Sequence, residues 1–278
     1  MIEGLGTLEG ALSYIHHVKR IAEELRNDNK PVSASVVPGH KTYKKFLFYK
    51  YFMALNHPLI LTEGRTDNIY LKYAIRHLAD TYPQLGQLSE GTFTPSVRFF
   101  SYDNKEAHRI LELTGGAGPL HGFVNTFRAN LQKYRHRPLS HPVMVLIDND
   151  TALTSKFKSD LKRNYHIDIN QTSAEAFYHL TDNLYLIKTP EIGPSGVSCI
   201  EDFFEDTVKS TPLEGKSFTT AKTLDPETQY GKVRFAENVI IPMAEQIVWD
   251  GFRPLLNRIV AVITHYVPPA SAILVEAA

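Results

Sequence analysis

Residues 143–150 read VMVLIDND: five apolar side chains in a row, then an acid, an asparagine and a second acid. A strand with one face in water would alternate apolar and polar residues. A run with no polar position fits a strand covered on both faces, and such strands belong to parallel sheets layered between helices. The two aspartates stand where the buried chain stops. Desolvating a carboxylate is costly unless a cation or hydrogen-bond donors compensate. Whatever surrounds Asp148 and Asp150 must supply that compensation.

The chain on either side fits the same architecture. "PLILTEG" at 58–64, "SVRFFSYD" at 96–103 and "NLYLIKTP" at 183–190 read as further short apolar strands. Between them the apolar spacing is helical. Residues 66–82 form an inward stripe of Leu71, Ile75, Leu78 and Tyr82, with Thr66 as the expected N-cap. Residues 121–135 follow a glycine-rich turn, "TGGAGPLHG", and residues 153–165 complete the set. Residues 197–210 read as helical, 211–230 as polar and turn-rich, and 232–266 as helix interrupted near Pro242 and Gly251. Strand–helix alternation predicts an α/β fold, a mostly parallel four-stranded sheet with helices on both faces and C-terminal helices beyond it. Right-handed crossovers place all strand C-termini on one edge, where ligands of such sheets bind.

Residues 1–55 differ. A helical pattern over 7–25, a proline-containing loop "KPVSASVVPGH" and the aromatic, lysine-dense helix "KTYKKFLFYKYFMAL" at 41–55 predict a separate helical appendage, leaving 56–278 as the main domain. The 278 residues carry 30 Lys+Arg against 30 Asp+Glu, so no net charge advertises a polyanionic partner, although a local basic groove is sufficient for one. One cysteine, Cys199, excludes an internal disulfide and reads as a small buried residue. No apolar run approaches the ~20 residues that cross a bilayer. No signal-peptide core opens the chain, and the expectation is a cytoplasmic protein with no membrane partner.

Topology brings the acids together. Glu63 follows the first strand, Asp148 and Asp150 the third, and Asp67 falls in the first turn of the next helix, where the helix dipole favours its charge. Four converging carboxylates raise one another's pKa and need a counter-charge. Oxygen-only sets suit hard divalent ions, one or two Mg²⁺ or Mn²⁺, as used in phosphoryl transfer. Each segment alone is ambiguous: an Asp-x-Asp after a strand also occurs in phosphatases, glycosyltransferases and plain loops, and "LTEGRTD" alone reads equally as a capped helix. The twelve histidines show no zinc-type spacing.

Taken together, "LTEGRTD" and "VLIDND" resemble the Toprim domain shared by topoisomerases, primases and small nucleases, over about residues 57–245, and most closely its OLD-like nuclease branch. That resemblance implies that Glu63, Asp148 and Asp150 hold one metal. It implies that Asp67 and an acid of "SCIEDFFE", Glu201 ahead of Asp202, help hold a second, and that Lys232 of "YGKVRFAENVI" stabilises charge on the phosphate. Gly115-Gly116 and Asn125 fit the same branch loosely. No ATPase domain accompanies it, since "TGGAGPL" lacks the Lys-Ser/Thr of a P-loop. Apart from the resemblance, Glu201 and Lys232 read as surface residues.

The appendage resembles the end of a reverse-transcriptase thumb, as in retrons whose reverse transcriptase is fused to a C-terminal Toprim domain. The Tyr-x-Asp-Asp polymerase motif is absent. The resemblance implies a Mg²⁺-dependent endonuclease acting on RNA or DNA, the toxic effector of an antiviral system. Its partners would be a reverse transcriptase and its RNA/DNA product, and the resemblance leaves room for an oligomer. Two alternatives stay open: a non-catalytic nucleic-acid-binding scaffold, and an Asp-x-Asp phosphohydrolase working through an aspartyl-phosphate. Expected phosphate contacts are Lys44 and Lys45 on the appendage helix and Arg135 and Arg137 in the basic loop "KYRHRPLSH". A solvated helix face and a solvated loop are the competing readings.

Overall fold

A computed structural model describes residues 38–102, 105–150, 153–221 and 223–269. The expected helix over 7–25 and most of the loop after it lie outside them. The chain divides into two compact units at Tyr51–Phe52. In the first, helix α1 (Pro38–Phe52) begins three residues earlier than the sequence pattern and ends three earlier. Its Tyr43 and Phe46 rings stack at 6.4 Å, and Lys50 Nζ lies 5.6 Å from the Tyr51 ring.

The second unit is α/β. Its elements run β1 (Leu59–Leu61), α2 (Arg65–His77), β2 (Gly86–Ser89), β3 (Thr92–Pro95), β4 (Arg98–Phe99), α3 (Lys105–Leu111), α4 (Ala117–Leu131), β5 (Val143–Ile147), α5 (Ser155–Tyr165), β6 (Tyr178–Thr181) and β7 (Leu184–Lys188). After a 3₁₀ turn (Ile200–Phe203) and a short β8 (Ser217–Phe218) and β9 (Gln229–Tyr230) pair come α6 (Lys232–Phe235), continuing as a π-helix (Ala236–Ile240), and α7 (Arg253–His265). The main sheet has the order β4-β1-β5-β7-β6, parallel except for β6.

β5 sits at the centre, and its five residues are at most 1% exposed. Full burial of such side chains stabilises by about 1.5–3 kcal/mol each. Alternation along the strands sorts the core into two layers. Ile60, Met144, Leu146, Tyr185 and Ile187 share a cluster with α2, the π-helix and α7. The opposite positions, Leu59, Leu61, Val143, Val145, Ile147 and Leu186, are equally buried, with α4 packed on β5 and α5 on α4. Among the described residues no helix is long and apolar enough to cross a membrane.

The four expected strands all form, but the sheet has a fifth. β6 carries only "YHLT" and returns to β7 through a two-residue turn, with Asp182 in the left-handed region (φ 46°). So short a polar edge strand leaves little periodic signal. The β2–β3 hairpin was likewise not expected. It closes on Glu90-Gly91, both at positive φ (50° and 76°), the conformation a two-residue type I′ turn requires. Residues 197–210 do not form one helix: Phe204 is extended (φ −82°, ψ 145°), leaving a 3₁₀ turn and a single α-turn (Asp206–Lys209). α2 starts one residue before Thr66; its N-cap is Gly64, and Thr66 lies inside the first turn.

One close approach ties the C-terminal helices to the 3₁₀ turn. A Cβ on Gly251 would stand 2.2 Å from the Phe203 carbonyl oxygen. Gly251→Ala should therefore cost about 1–3 kcal/mol by overpacking, lowering the melting temperature by roughly 3–10 °C. A thermal melt identical to that of the unsubstituted protein would contradict this packing.

Candidate functional site

The C-terminal ends of β1 and β5 are adjacent in the sheet, with Leu61 paired to Val145. The residues that follow meet there. Glu63 Oε1 accepts a hydrogen bond from the Asp148 backbone N–H at 3.1 Å. Asp67, third residue of α2, accepts from the Gly64 N–H at 2.9 Å, which turns its carboxylate back toward the sheet edge. The 3₁₀ turn arrives from the other side. Its first N–H, on Ile200, has no partner within the turn and donates to Asp148 Oδ1 at 3.0 Å. That bond docks the next residue, Glu201, in the cluster with its side chain completely buried. Lys232, at the start of α6, places Nζ 2.9 Å from Glu201 Oε2. This pair is close enough to be ionic, yet neither Glu201 oxygen accepts a hydrogen bond of good geometry.

The electrostatics are those of acids held together against their preference. Burial, followed by repulsion from Asp67, Glu63 and Glu201, pushes Asp148 up to about 9. Burial and then Glu201 push Asp67 up to about 7, with Lys232 and the Gly64 N–H pulling the other way. Glu63 is raised by burial and by Asp150, partly offset by its bond from the Asp148 N–H. Burial would lower Lys232, but Glu201, Asp148 and Asp67 more than offset it, and its ammonium is held well above the usual lysine range. Asp150 is half-buried and close enough to act on Glu63.

The expected site residues therefore divide. Glu63, Asp67, Asp148, Asp150, Glu201 and Lys232 come together. Arg135 and Arg137 do not join them. Both are exposed in the loop feeding the N-terminal end of β5, whereas the acids follow its C-terminal end. Lys44, half-buried, and Lys45, exposed, belong to α1 in the other unit. Asp202 turns away, accepting from the Cys199 N–H at 2.8 Å. Cys199 is only partly buried, and burial followed by Glu201 raises its thiol well above the ordinary range, so it is no ready nucleophile.

Of the supporting residues, only the glycine-rich turn and Asn125 stand out in the sequence; Thr62, Asn68, Tyr102 and Asn149 do not. Gly115 and Gly116 both have positive φ, and the Gly116 N–H donates to the Glu63 carbonyl at 2.6 Å. This turn thus braces Glu63 rather than cradling a phosphate. Thr62 donates to the Asn68 side chain at 2.9 Å, and Asn68 to the Phe100 carbonyl at 2.9 Å. Tyr102 donates to the Thr62 carbonyl. Asn149, between the two aspartates, is fully buried; its N–H donates to Thr189 Oγ1 at 2.8 Å and its amide to the Gln171 and Gly196 carbonyls at 2.8 and 2.5 Å. The Asp148–Asp150 turn is therefore held rigidly from below. Asn125 serves α5 instead, donating to Asp160 at 3.0 Å.

Five carboxylates with one lysine among them form a donor set of the hard-oxygen kind that Mg²⁺ and Mn²⁺ favour. Glu201 Oε1, buried and without a hydrogen-bond partner, is a group a cation would satisfy. Among the described residues no three acid, histidine or cysteine side chains stand as a ready-made metal cage, and Lys232 supplies the counter-charge inside the cluster. No model of a known protein family matches the chain, and comparison with the solved structures found no match to it.

Proposed function

We propose that the α/β unit is a divalent-metal-dependent nuclease of the Toprim type, nearest the OLD-like branch, hydrolysing phosphodiester bonds of RNA or DNA. One observation carries the reading: Glu63 with Asp67, Asp148, and Glu201 arrive from three separate segments at one sheet edge, where burial and mutual repulsion raise the first three, and Lys232 from a fourth is the cation among them. A purely structural site gains nothing from such crowding, because replacing buried charges with packed apolar residues is often neutral or stabilising.

Glu63, Asp148 and Asp150 would hold one ion, with Asp67 and Glu201 helping to hold a second. Bound Mg²⁺ or Mn²⁺ would supply Lewis-acid stabilisation of the phosphate and a water nucleophile at neutral pH. The chain's own residues do the rest. Asp67 and Asp148 would carry the negative charge such an ion requires, once deprotonated. The Asp148–Asn149–Asp150 turn, fixed through Thr189, Gln171 and Gly196, keeps the ligands from drifting. Lys232 is about one-third exposed, so its ammonium sits between the buried acids and a phosphate arriving from solvent. The aspartyl-phosphate alternative fits less well, because it gives no role to Glu63 and Asp67, which lie beside Asp148 at the same sheet edge. By the same resemblance, the enzyme would be the effector of a retron-type antiviral system, with a reverse transcriptase and its RNA/DNA product as partners.

The test is cleavage of end-labelled RNA and DNA by the purified chain. Products should form with Mg²⁺ or Mn²⁺ and vanish with EDTA or in Glu63→Gln. Absence of cleavage with either ion, or cleavage that persists in EDTA, would overturn the reading and leave a binding scaffold as the better account.

A further inference from the structure

A groove of about 430 Å³ lies between α2 and the hairpin–β4 edge of the sheet. Three half-buried aromatic rings, Tyr73, Phe93 and Phe99, and three exposed cations, Lys72, Arg76 and Arg98, line it. Lys72 Nζ lies 5.7 Å from the Phe99 ring centroid, so cation and ring already act as one unit. Phe93 is placed by the hairpin: its ring lies over Gly86, where a Cβ would stand only 2.5 Å from Cζ.

α2 connects this groove to the acids. It starts at the acid edge with Arg65 and Asp67, and Arg65, Lys72 and Arg76 are spaced seven and four residues apart, which puts them on one stripe. The stripe runs about 10 Å from Arg65 to Lys72 and about 16 Å to Arg76, a span of a few nucleotides. Arg65 and Arg76 pair with Glu237 at 3.1 Å and Glu245 at 3.8 Å, in exposed contacts that contribute little and yield readily to a phosphate.

We infer that this groove binds the single-stranded flank of a nucleic acid whose scissile phosphate lies at the acid cluster. A base stacks among Phe93, Phe99 and Tyr73, and successive phosphates lie on Arg98, Lys72 and Arg76. Aromatic faces beside a basic track are what unstacked bases on a charged backbone require. A duplex keeps its base faces covered and cannot use the rings. The inference rests on the nuclease reading and specifies its substrate class as single-stranded.

Anisotropy of fluorescein-labelled oligo(dT) and oligo(U), against a duplex of equal length, tests it with the full chain in EDTA over a salt series. The single strands should bind more tightly than the duplex. Lys72→Ala with Arg98→Ala should weaken binding about tenfold and flatten the slope of log affinity against log salt by about 1.4, two phosphates at ~0.7 each. Phe93→Ala should weaken binding about tenfold while leaving that slope unchanged, as lost stacking does. Lys72 and Arg98 are exposed, so the double variant stays informative if Phe93→Ala unfolds. No single-strand binding, equal or tighter duplex binding, or a double variant indistinguishable from the parent would overturn the inference. Because binding is read without divalent ions, the two failures separate. Groove-dependent binding without cleavage counts against the nuclease reading alone. Cleavage with groove-independent binding counts against the groove alone.

Discussion

Asp148→Asn should abolish divalent-dependent cleavage, by at least about 10³-fold, because a lost metal ligand forfeits several kcal/mol of transition-state stabilisation. The same substitution should leave the metal-free fold intact at pH 7. With its carboxyl raised to about 9, Asp148 is already largely neutral there, and the asparagine carbonyl oxygen can still accept the Ile200 N–H now 3.0 Å from Oδ1. Cleavage assays paired with a thermal melt in EDTA check both halves. Retained activity would remove Asp148 from the chemistry. A collapse of the metal-free melting temperature would make it a structural residue instead.

The second large effect is a pH dependence that metal reverses. Asp67 and Asp148 titrate near 7 and 9 in the folded protein against an ordinary value of 3.8. Between those limits the folded state holds protons that the unfolded state has already lost. Stability therefore falls as pH rises, by roughly 1 kcal/mol per pH unit for each such proton, and the loss is complete only above the folded-state values. In EDTA the melting temperature should drop by several degrees between pH 7 and pH 9. Mg²⁺ binds the deprotonated acids, so its stabilising effect should grow over the same interval and release protons. An Asp67→Asn, Asp148→Asn double variant should show a flatter pH profile and little response to Mg²⁺. A parent protein whose metal-free stability rises over that interval would contradict the description of the cluster.

What the sequence reveals follows from where the physical signal is local. The β5 run and its two aspartates are legible because total burial of a strand leaves an unbroken apolar run. Glu63 and Asp67 are legible because a strand end and a helix start adjoin them. Glu201 is not legible by itself. Its burial depends on the Ile200 N–H finding Asp148, a bond between residues 52 apart in sequence. The extended Phe204 that breaks the expected helix there leaves no compositional trace. The short polar strands of β6 and the β2–β3 hairpin carry too few residues for a period to emerge, and with the hairpin went the wall that sets Phe93 in its groove. Arg135 and Arg137 attract attention as a basic cluster close to Asp148 in sequence. A strand traversed end to end separates them from it: five residues at ~3.3 Å each place the loop at the opposite edge of the sheet from the acids.

A divalent ion held by these acids at the C-terminal edge of β1 and β5 is the proposal on which the rest depends. The most direct measurement is anomalous scattering from crystals soaked in Mn²⁺. The account predicts one or two peaks within about 2.5 Å of carboxylate oxygens of Glu63 and Asp148, with Lys232 moved away from Glu201 to admit them. Crystals that take up Mn²⁺ elsewhere, or nowhere, while Lys232 stays paired with Glu201, would contradict it.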